Sequence, residues 1–301
     1  MAQQFPEWLR RPWASGATFQ STKTVVDDLH LHTVCQSAHC PNIGECWAQG
    51  TATVMVLGNT CTRNCSFCSV HSGREGESDP GEPLNVAKAV SRMGLKHAVV
   101  TTVVRDDLPD GGAAHIAETI REIHRLNTRT TVEVLVYDFF GNSEALAVVL
   151  DAAPEVFCHN IETVRRLYPK IRDRRFSYDA TLACLREARG FGARHIVKSA
   201  LMVGHGESGE EVVKCLKDLR EAGVEALCIG QYLRPTRQQR AVEEFVHPDR
   251  FRQYEKEAYA IGFEYVVSGP FVRSSYKSEL ILDQPFARAR LGSARLSEAA
   301  S

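Results

Sequence analysis

The chain has 301 residues, 44% of them hydrophobic, enough for one large domain with a substantial core or for two small ones. Lysine and arginine number 36 against 37 aspartate and glutamate, so the overall charge gives no reason to expect nucleic acid or a membrane surface as partner. Six of the ten cysteines fall into two tight triplets, while Cys158, Cys184, Cys215 and Cys228 are scattered through apolar segments; this is no secreted disulfide framework and points to a reducing, cytoplasmic compartment.

Residues 1–50 precede the first expected strand. The start, Met1-Ala-Gln-Gln-Phe-Pro-Glu, has neither a secretory apolar core nor evident transit character, and no later segment has the length and purity of a membrane-spanning helix. Pro6-Glu-Trp-Leu-Arg-Arg-Pro-Trp13 is aromatic and basic and is expected to pack on the domain as an arm. Residues 22–31 have the spacing of a short helix, with Val25, Val26 and Leu29 on one face. Cys35-Gln-Ser-Ala-His-Cys40-Pro-Asn-Ile-Gly-Glu-Cys46 follows, a C-x4-C-x5-C pattern that fits neither paired zinc ligands nor a ferredoxin run. Its plain reading is a structural zinc or cluster site, with His39 as a possible fourth ligand; otherwise His30, His32 and His39 read as surface or packing residues.

Ala52 to Leu57 is an apolar run that reads as a short buried strand. It leads into Cys61-Thr-Arg-Asn-Cys65-Ser-Phe-Cys68, three thiols in the pattern C-x3-C-x2-C. They leave the carboxyl end of a strand, where α/β barrels carry their active sites. Soft ligands packed this tightly suit a metal or an iron–sulfur cluster. A structural zinc normally closes with four ligands, whereas three thiolates on a four-iron cluster leave one iron open to a small molecule. A zinc knuckle and unrelated thiols are the alternatives.

Downstream, strands and helices alternate. Strands are expected at 97–104, 131–137, 156–160, 196–203 and 226–231, and helices at 84–93, 113–126, 143–152, 178–189 and 210–222; the last has a clear stripe of Val212, Val213, Leu216 and Leu219. Six β/α units imply a parallel sheet with right-handed crossovers, short of a full eight-unit barrel. Gly204-His-Gly206-Glu-Ser-Gly209 is a literal G-x-G-x-x-G, but it stands in the fifth unit, and the next strand ends in Gln231 and Tyr232 with no acid for a ribose; NAD binding is rejected. Other polar strand ends have two readings each. Asn160 and Glu162 either cap a helix starting near Glu162 or bind a ligand, and Arg105, Asp106 and Asp107 are either a solvated turn or part of a site.

With Phe67 before its last cysteine, the second triplet resembles the signature of the radical S-adenosylmethionine (SAM) superfamily. The two triplets together resemble the lipoyl synthase family. So do Cys40-Pro-Asn-Ile-Gly-Glu-Cys-Trp47, Arg105-Asp-Asp-Leu-Pro-Asp-Gly-Gly112, Asn160-Ile-Glu-Thr163, Gly230-Gln-Tyr-Leu-Arg-Pro235 and Ser268-Gly-Pro-Phe-Val-Arg-Ser-Ser-Tyr276. The match runs in order from about residue 6 to about residue 280.

The resemblance implies an α/β fold, a partial (β/α)6 barrel at 51–268. It would be flanked by a cysteine-rich extension at 1–50 and a C-terminal extension at 269–301 that ends in a mobile tail. It implies a sulfurtransferase that inserts two sulfurs, at C6 and C8, into a protein-bound N6-octanoyl-lysine. Such C–H bonds are unactivated and call for radical chemistry from a cofactor. Two 4Fe-4S clusters and SAM are implied: one cluster on Cys61, Cys65 and Cys68 that binds SAM, and an auxiliary one, the sulfur source, on Cys35, Cys40, Cys46 and a serine of Arg273-Ser-Ser-Tyr276. That serine is expected to be Ser274, with Ser275 as second choice. Phe67, Asp106, Asn160, Glu162, Lys198, Ser199, Gln231 and Arg234 are the expected SAM contacts, beside a Gly-rich turn that lets SAM approach the backbone. The implied partners are an octanoylated carrier, either a glycine-cleavage H protein or an E2 lipoyl domain, and an electron donor such as ferredoxin or flavodoxin. Ser278 stands where the family usually has a small apolar residue, and the loop at Arg234–Arg240 lacks the histidines often found there. Another two-cluster radical SAM enzyme, sulfur-inserting or methylthio-transferring, is the rival, and the absence of an appended nucleic-acid module speaks against an RNA substrate.

Overall fold

The computed structural model describes residues 5–10, 15–74, 76–192 and 194–292. Its strands are β1 (His32–Thr33), β2 (Thr53–Val56), β3 (Thr60–Cys61), β4 (His71–Ser72), β5 (His97–Thr102), β6 (Thr131–Leu135), β7 (Val156–Cys158), β8 (Ile196–Val203), β9 (Ala226–Gln231) and β10 (Tyr265–Gly269). β1, β2 and β5 to β10 form one eight-stranded sheet in that spatial order. Every neighbouring pair is parallel except β1, which runs antiparallel to β2. β3 and β4 form a separate small ladder beside the sheet.

Three helices precede the barrel: α1 (Ala17–Asp28), α2 (Val34–Ser37) and α3 (Ile43–Ala48). After β4 come α4 (Glu82–Met93), α5 (Ala113–Leu126), α6 (Ser143–Asp151), the short α7 (Tyr168–Ile171), α8 (Tyr178–Gly190), α9 (Gly209–Glu221), α10 (Pro248–Ile261) and α11 (Pro285–Leu291). Local chemistry explains the boundaries. Ser208 and Glu211 close a capping box at the start of α9. Gly94 and Gly262 end α4 and α10 in the left-handed conformation. The strands are covered on both faces, so β2 and β9 are buried at every position and read as apolar runs without alternation.

The expected six β/α units are all present, and a seventh parallel strand, β10, extends the sheet. Tyr265 to Ser268 pair with Ala226 to Ile229 of β9. The first helix begins five residues earlier than the Val25–Leu29 spacing suggests, because Thr22 turns inward and its hydroxyl donates to the Trp47 carbonyl at 3.0 Å. No helix starts near Glu162. That residue lies in the left-handed region (φ 66°) and forms an isolated bridge with Leu201, so the capping role expected for it does not exist.

The C-terminal extension is not loose through its whole length. Ala287 and Ile281 are fully buried against Val156, Ile196, Ala226 and Tyr265, the first residues of β7 to β10. α11 therefore plugs the amino-terminal end of the barrel, opposite the end from which the Cys61–Cys68 loop leaves. The tail expected to be mobile begins at Arg288, but Arg288 to Leu291 belong to α11, where Arg290 donates to Glu225 at 3.2 Å; residues 293–301 lie outside the described residues, as do residues 11–14. The described part of the N-terminal arm packs as expected: Phe5 meets Phe245, and Trp8 meets His247, with ring centroids 5.4 and 5.0 Å apart.

Candidate active site

The second triplet sits on a loop fixed from three sides. Thr62 N–H donates to the Val104 carbonyl and Ser66 N–H to the Ile171 carbonyl, both at 2.9 Å, while Arg240 N–H donates to the Ser66 carbonyl at 2.8 Å. Arg63, between the first two cysteines, is the hub. Its guanidinium donates to Asp106 through Nε and Nη2 at 3.0 Å and to Asp138 at 3.3 Å. It lies 3.9 Å from the Phe176 ring centroid and 4.2 Å from that of Phe140. Two backbone amides point at sulfurs: Arg63 N–H at Cys61 Sγ, 3.4 Å, and Asp173 N–H at Cys65 Sγ, 3.3 Å.

These thiols are not ordinary surface cysteines. Burial pushes the Cys68 thiol up to about 12, and it raises Cys65 against the opposing pull of Arg172. A thiolate in such a place requires a strong local cation, which an iron cluster supplies. The donor set of three free thiols with amides aimed at sulfur fits a thiolate-held cluster. Among the described residues no three His, Cys, Asp or Glu side chains converge as a single-ion site requires; each triplet is spread along a cavity wall.

Next to this loop is a polar edge. Asn160 Nδ2 donates to Glu162 Oε1 at 3.1 Å. Arg172 lies 3.8 Å from the same carboxylate, packs 3.6 Å from the Phe176 ring centroid, and leaves its Nε without a hydrogen-bond partner. Burial raises the Glu162 carboxyl, opposed by Arg172 and Asn160.

The first triplet lies beside the amino end of β2. Cys35, Cys40 and Cys46 line a pocket of about 690 Å³ with Thr53, His97 and residues of the C-terminal segment. Burial pushes the Cys46 thiol up to about 12, and the neighbouring Cys35 and Cys40 add to the shift. The C-terminal segment is tied here by side chains from distant parts of the chain. Thr53 Oγ1 donates to Ser275 Oγ at 2.9 Å, Tyr276 OH donates to Glu45 at 3.0 Å, and Asn42 Nδ2 donates to the Phe271 carbonyl at 2.7 Å. Gly230 makes the approach possible, since a Cβ there would stand 2.1 Å from the Val272 carbonyl oxygen. Ser275 shares the pocket with all three cysteines; Ser274 does not, and it lines only the larger cavity described next. Of the two serines, Ser275, the second choice, is the one that stands beside the first triplet.

One open cavity of about 1910 Å³ is walled by Cys61, Cys65 and Cys68 at one side and by Cys35 and Cys40 at the other. It brings together Phe67, Asn160, Glu162, Arg234 and Ser274 of the expected residues, and adds Arg63 and Arg172. Four expected SAM contacts lie elsewhere. Lys198 is buried in the barrel, donating to both Glu133 oxygens at 2.9 Å and to Ser278 Oγ at 2.6 Å. Ser199 Oγ accepts the Ile161 N–H at 3.1 Å. The Gln231 amide is fully used, donating to Val203, Tyr232 and Glu244 carbonyls and accepting from Val246 N–H. Asp106 is held by Arg63 and by Arg175 at 3.0 Å.

In the Gly-rich turn the first two amides are taken by the chain's own carboxylate. Glu207 accepts from the amides of Gly204 and His205, at 2.5 and 2.9 Å, so the donors a phosphate would need are taken. A Cβ on Gly204 would strike Gln231 and the Glu244 carbonyl, so this glycine serves the approach of the 243–246 segment and not that of SAM. Arg63 was there to be noticed inside the cysteine motif, but its value depends on Asp106 and Asp138, which no spacing rule connects to it. His39 Nδ1 is 3.3 Å from Ser69 Oγ. Cys158, Cys184, Cys215 and Cys228 are buried, as small core residues are.

The profile of the radical SAM superfamily matches residues 55–219. Among solved structures, the hydrogenase maturase HydG from Carboxydothermus hydrogenoformans aligns over 91% of this chain and 82% of its own with a TM-score of 0.56 at 12% identity. SuiB of Streptococcus suis, solved with S-adenosylmethionine, aligns over 72% and 51% with a TM-score of 0.53 at 9% identity. The fold, the cysteine loop at a strand's carboxyl end and the profile define a radical SAM enzyme.

The curated relatives are more specific. The lipoyl synthase of Thermus thermophilus is 50% identical over 92% of this chain and 86% of its own length. That of Halorhodospira halophila is 48% identical over 92% and 84%, and the mitochondrial one of Drosophila grimshawi 49% over 91% and 77%. The chain belongs to the lipoyl synthase family, enzymes that insert sulfur at C6 and C8 of a protein-bound octanoyl group. Among the described residues no helix is long and apolar enough to cross a membrane.

Proposed function

We propose that Cys61, Cys65 and Cys68 hold the SAM-binding 4Fe-4S cluster, and that Cys35, Cys40, Cys46 and Ser275 hold a second 4Fe-4S cluster that is the source of the inserted sulfur. One observation carries this: a single cavity is walled by thiols of both triplets, with an apolar stretch between them. When bound, the clusters and SAM supply the one-electron chemistry and the sulfur that no side chain here possesses.

The chain's own residues have defined tasks. Glu162 and Asn160 offer acceptors to the ammonium of SAM, and Arg172 offers its free Nε to the carboxylate. Phe67 packs beside the thiols, and Arg234 borders the adenosine. Arg63 and Asp106 act one step back, by fixing the loop that carries Cys61 and Cys65. The apolar stretch seats the octanoyl carbons and excludes water, so that the target C–H bonds face the site at short range. Ser275, a hard oxygen on a soft cluster, is a weak ligand suited to being released. Arg273 stands two residues from it and favours its deprotonated form.

The carrier is an octanoylated H protein or E2 lipoyl domain, and the reductant a ferredoxin or flavodoxin. Ten free cysteines suit a reducing cytoplasm. The test is anaerobic iron and sulfide content with Mössbauer spectra, on wild type and on the triple variant Cys35→Ala, Cys40→Ala, Cys46→Ala. Roughly eight irons falling to four, with SAM cleavage kept and no lipoyl product, is expected from two four-iron clusters. Four irons in both proteins would remove the sulfur-donor role.

A further inference from the structure

We infer that Met55 and Leu135 form the floor on which the acyl chain stops, and that the buried Glu133–Lys198 ion pair beneath them makes that stop unyielding; this rests on the reading that the cavity takes an octanoyl chain. Strand register identifies the floor. Met55 stands opposite Thr101, and Thr101 opposite Leu135, so three residues lie at one level on the interior face of β2, β5 and β6. All three line the cavity; one level deeper Thr53 of β2 still borders it while Val99 and Glu133 do not, so the floor is closed on the β5 and β6 side. Leu135 is only half-buried although its strand neighbours Val134 and Val136 are buried; what exposes it is the cavity itself.

Two residues back along β6, roughly 6.6 Å deeper on the same face, stands Glu133. It is fully buried and outside the cavity lining. Lys198 holds both its oxygens at 2.9 Å, and Ser278 Oγ donates to it as well. Burial works to raise the Glu133 carboxyl, but Lys198, His97 and Ser278 outweigh it and hold it at about 2. Such a pair is an expensive choice where an apolar side chain would pack. Its consequence for a ligand is definite. A hydrocarbon chain resting on Met55 and Leu135 makes apolar contact, whereas a chain two methylenes longer must displace Leu135 towards charges whose hydrogen bonds a hydrocarbon cannot replace. An all-apolar interior could repack around the intruder; an ion pair with every partner assigned cannot.

The experiment uses the full chain and lysyl peptides acylated with hexanoyl, octanoyl or decanoyl groups. Binding is read by calorimetry on the protein before cluster reconstitution, and product by mass spectrometry after it. Wild type is expected to prefer octanoyl over decanoyl. Leu135→Ala is expected to raise the decanoyl-to-octanoyl binding ratio by at least about 10-fold, the lower end of what a single methylene is worth in an apolar pocket. Leu135→Phe is expected to move preference the other way, towards hexanoyl. Met55→Ala, on a different strand, guards against one variant failing to fold, and unfolding temperatures check all three. Chain-length ratios that stay at the wild-type value in folded variants overturn the floor while leaving the family activity intact. A wild-type protein that neither binds nor sulfurates octanoyl peptide overturns the octanoyl reading, and the floor with it.

Discussion

The two cysteine triplets face the same cavity but are built in different ways. The Cys61–Cys68 loop is held by its own barrel: Arg63, Asp106, Asp138 and Asp173 all come from carboxyl ends of strands or the loops just beyond them, within residues 61–175. The Cys35–Cys46 triplet is completed from the far end of the chain. Thr53 to Ser275, Glu45 to Tyr276 and Asn42 to Phe271 span 222, 231 and 229 residues respectively. The first is an electrostatic hub in a pre-formed loop. The second is a clasp of three hydrogen bonds, two neutral and one to the Glu45 carboxylate, that closes only when the chain's two ends have both docked. Damage to the hub should therefore act first on SAM cleavage and with it on product, and damage to the clasp on product alone.

The largest expected effect comes from Arg63→Ala. It leaves the buried Asp138 without Arg63 and Asp106 with Arg175 alone, a loss of about 3–5 kcal/mol for a broken buried pair. SAM cleavage, followed as 5′-deoxyadenosine, should drop at least ~100-fold by displacement of the loop, while four irons remain on the first triplet. Equal loss of iron from both triplets would break the comparison. Next is Ser275→Ala, which should change the Mössbauer signature of the first triplet's cluster and abolish lipoyl product without reducing SAM cleavage; Ser274→Ala should leave that signature unaltered. The reverse result would move the ligand back to Ser274.

A smaller effect is expected from pH. The Glu133 carboxyl, held at about 2, is depressed below its ordinary value of about 4.3. Its stabilising contribution is therefore complete above that ordinary value and is lost as pH falls through the window towards 2. The difference in unfolding temperature between wild type and Glu133→Gln should narrow from pH 5 to pH 3; a constant gap would mean that the ion pair is not what stabilises the barrel interior. Smallest is Tyr276→Phe, which removes one half-exposed clasp bond to a carboxylate, worth about 1.5 kcal/mol. It should slow sulfur insertion a fewfold at an unchanged rate of SAM cleavage, measured as the ratio of lipoyl product to 5′-deoxyadenosine.

Periodicity made the barrel legible, because each strand is a short apolar run between helices with clear stripes. It missed β10, where Tyr265-Val-Val-Ser-Gly269 is brief and merges into a segment that drew attention for its serines. The thiols were legible because nothing but metal chemistry spaces cysteines so closely. The expected SAM contacts divide: Phe67, Asn160, Glu162 and Arg234 line the cavity. Lys198 and Ser199, expected from the family resemblance, and Gln231, a polar strand end, are held by buried partners such as Glu133, the Ile161 amide and the Glu244 carbonyl. Those partners are 65, 38 and 13 residues away, and no local pattern announces them. Arg172 was overlooked for the converse reason: it sits in an arginine-rich stretch that looks solvated, while its guanidinium turns inward beside Glu162.

β2 has one further consequence. Its first residue, Thr53, grips the serine at one triplet, and its far end runs directly into the loop of the other. The spacing between the two centres is thus set by covalent backbone within a buried parallel ladder, like the bar of a calliper, and not by a hinge or a domain contact. Motion elsewhere can change who enters the cavity and when. It leaves the gap between the two triplets constant through every turnover.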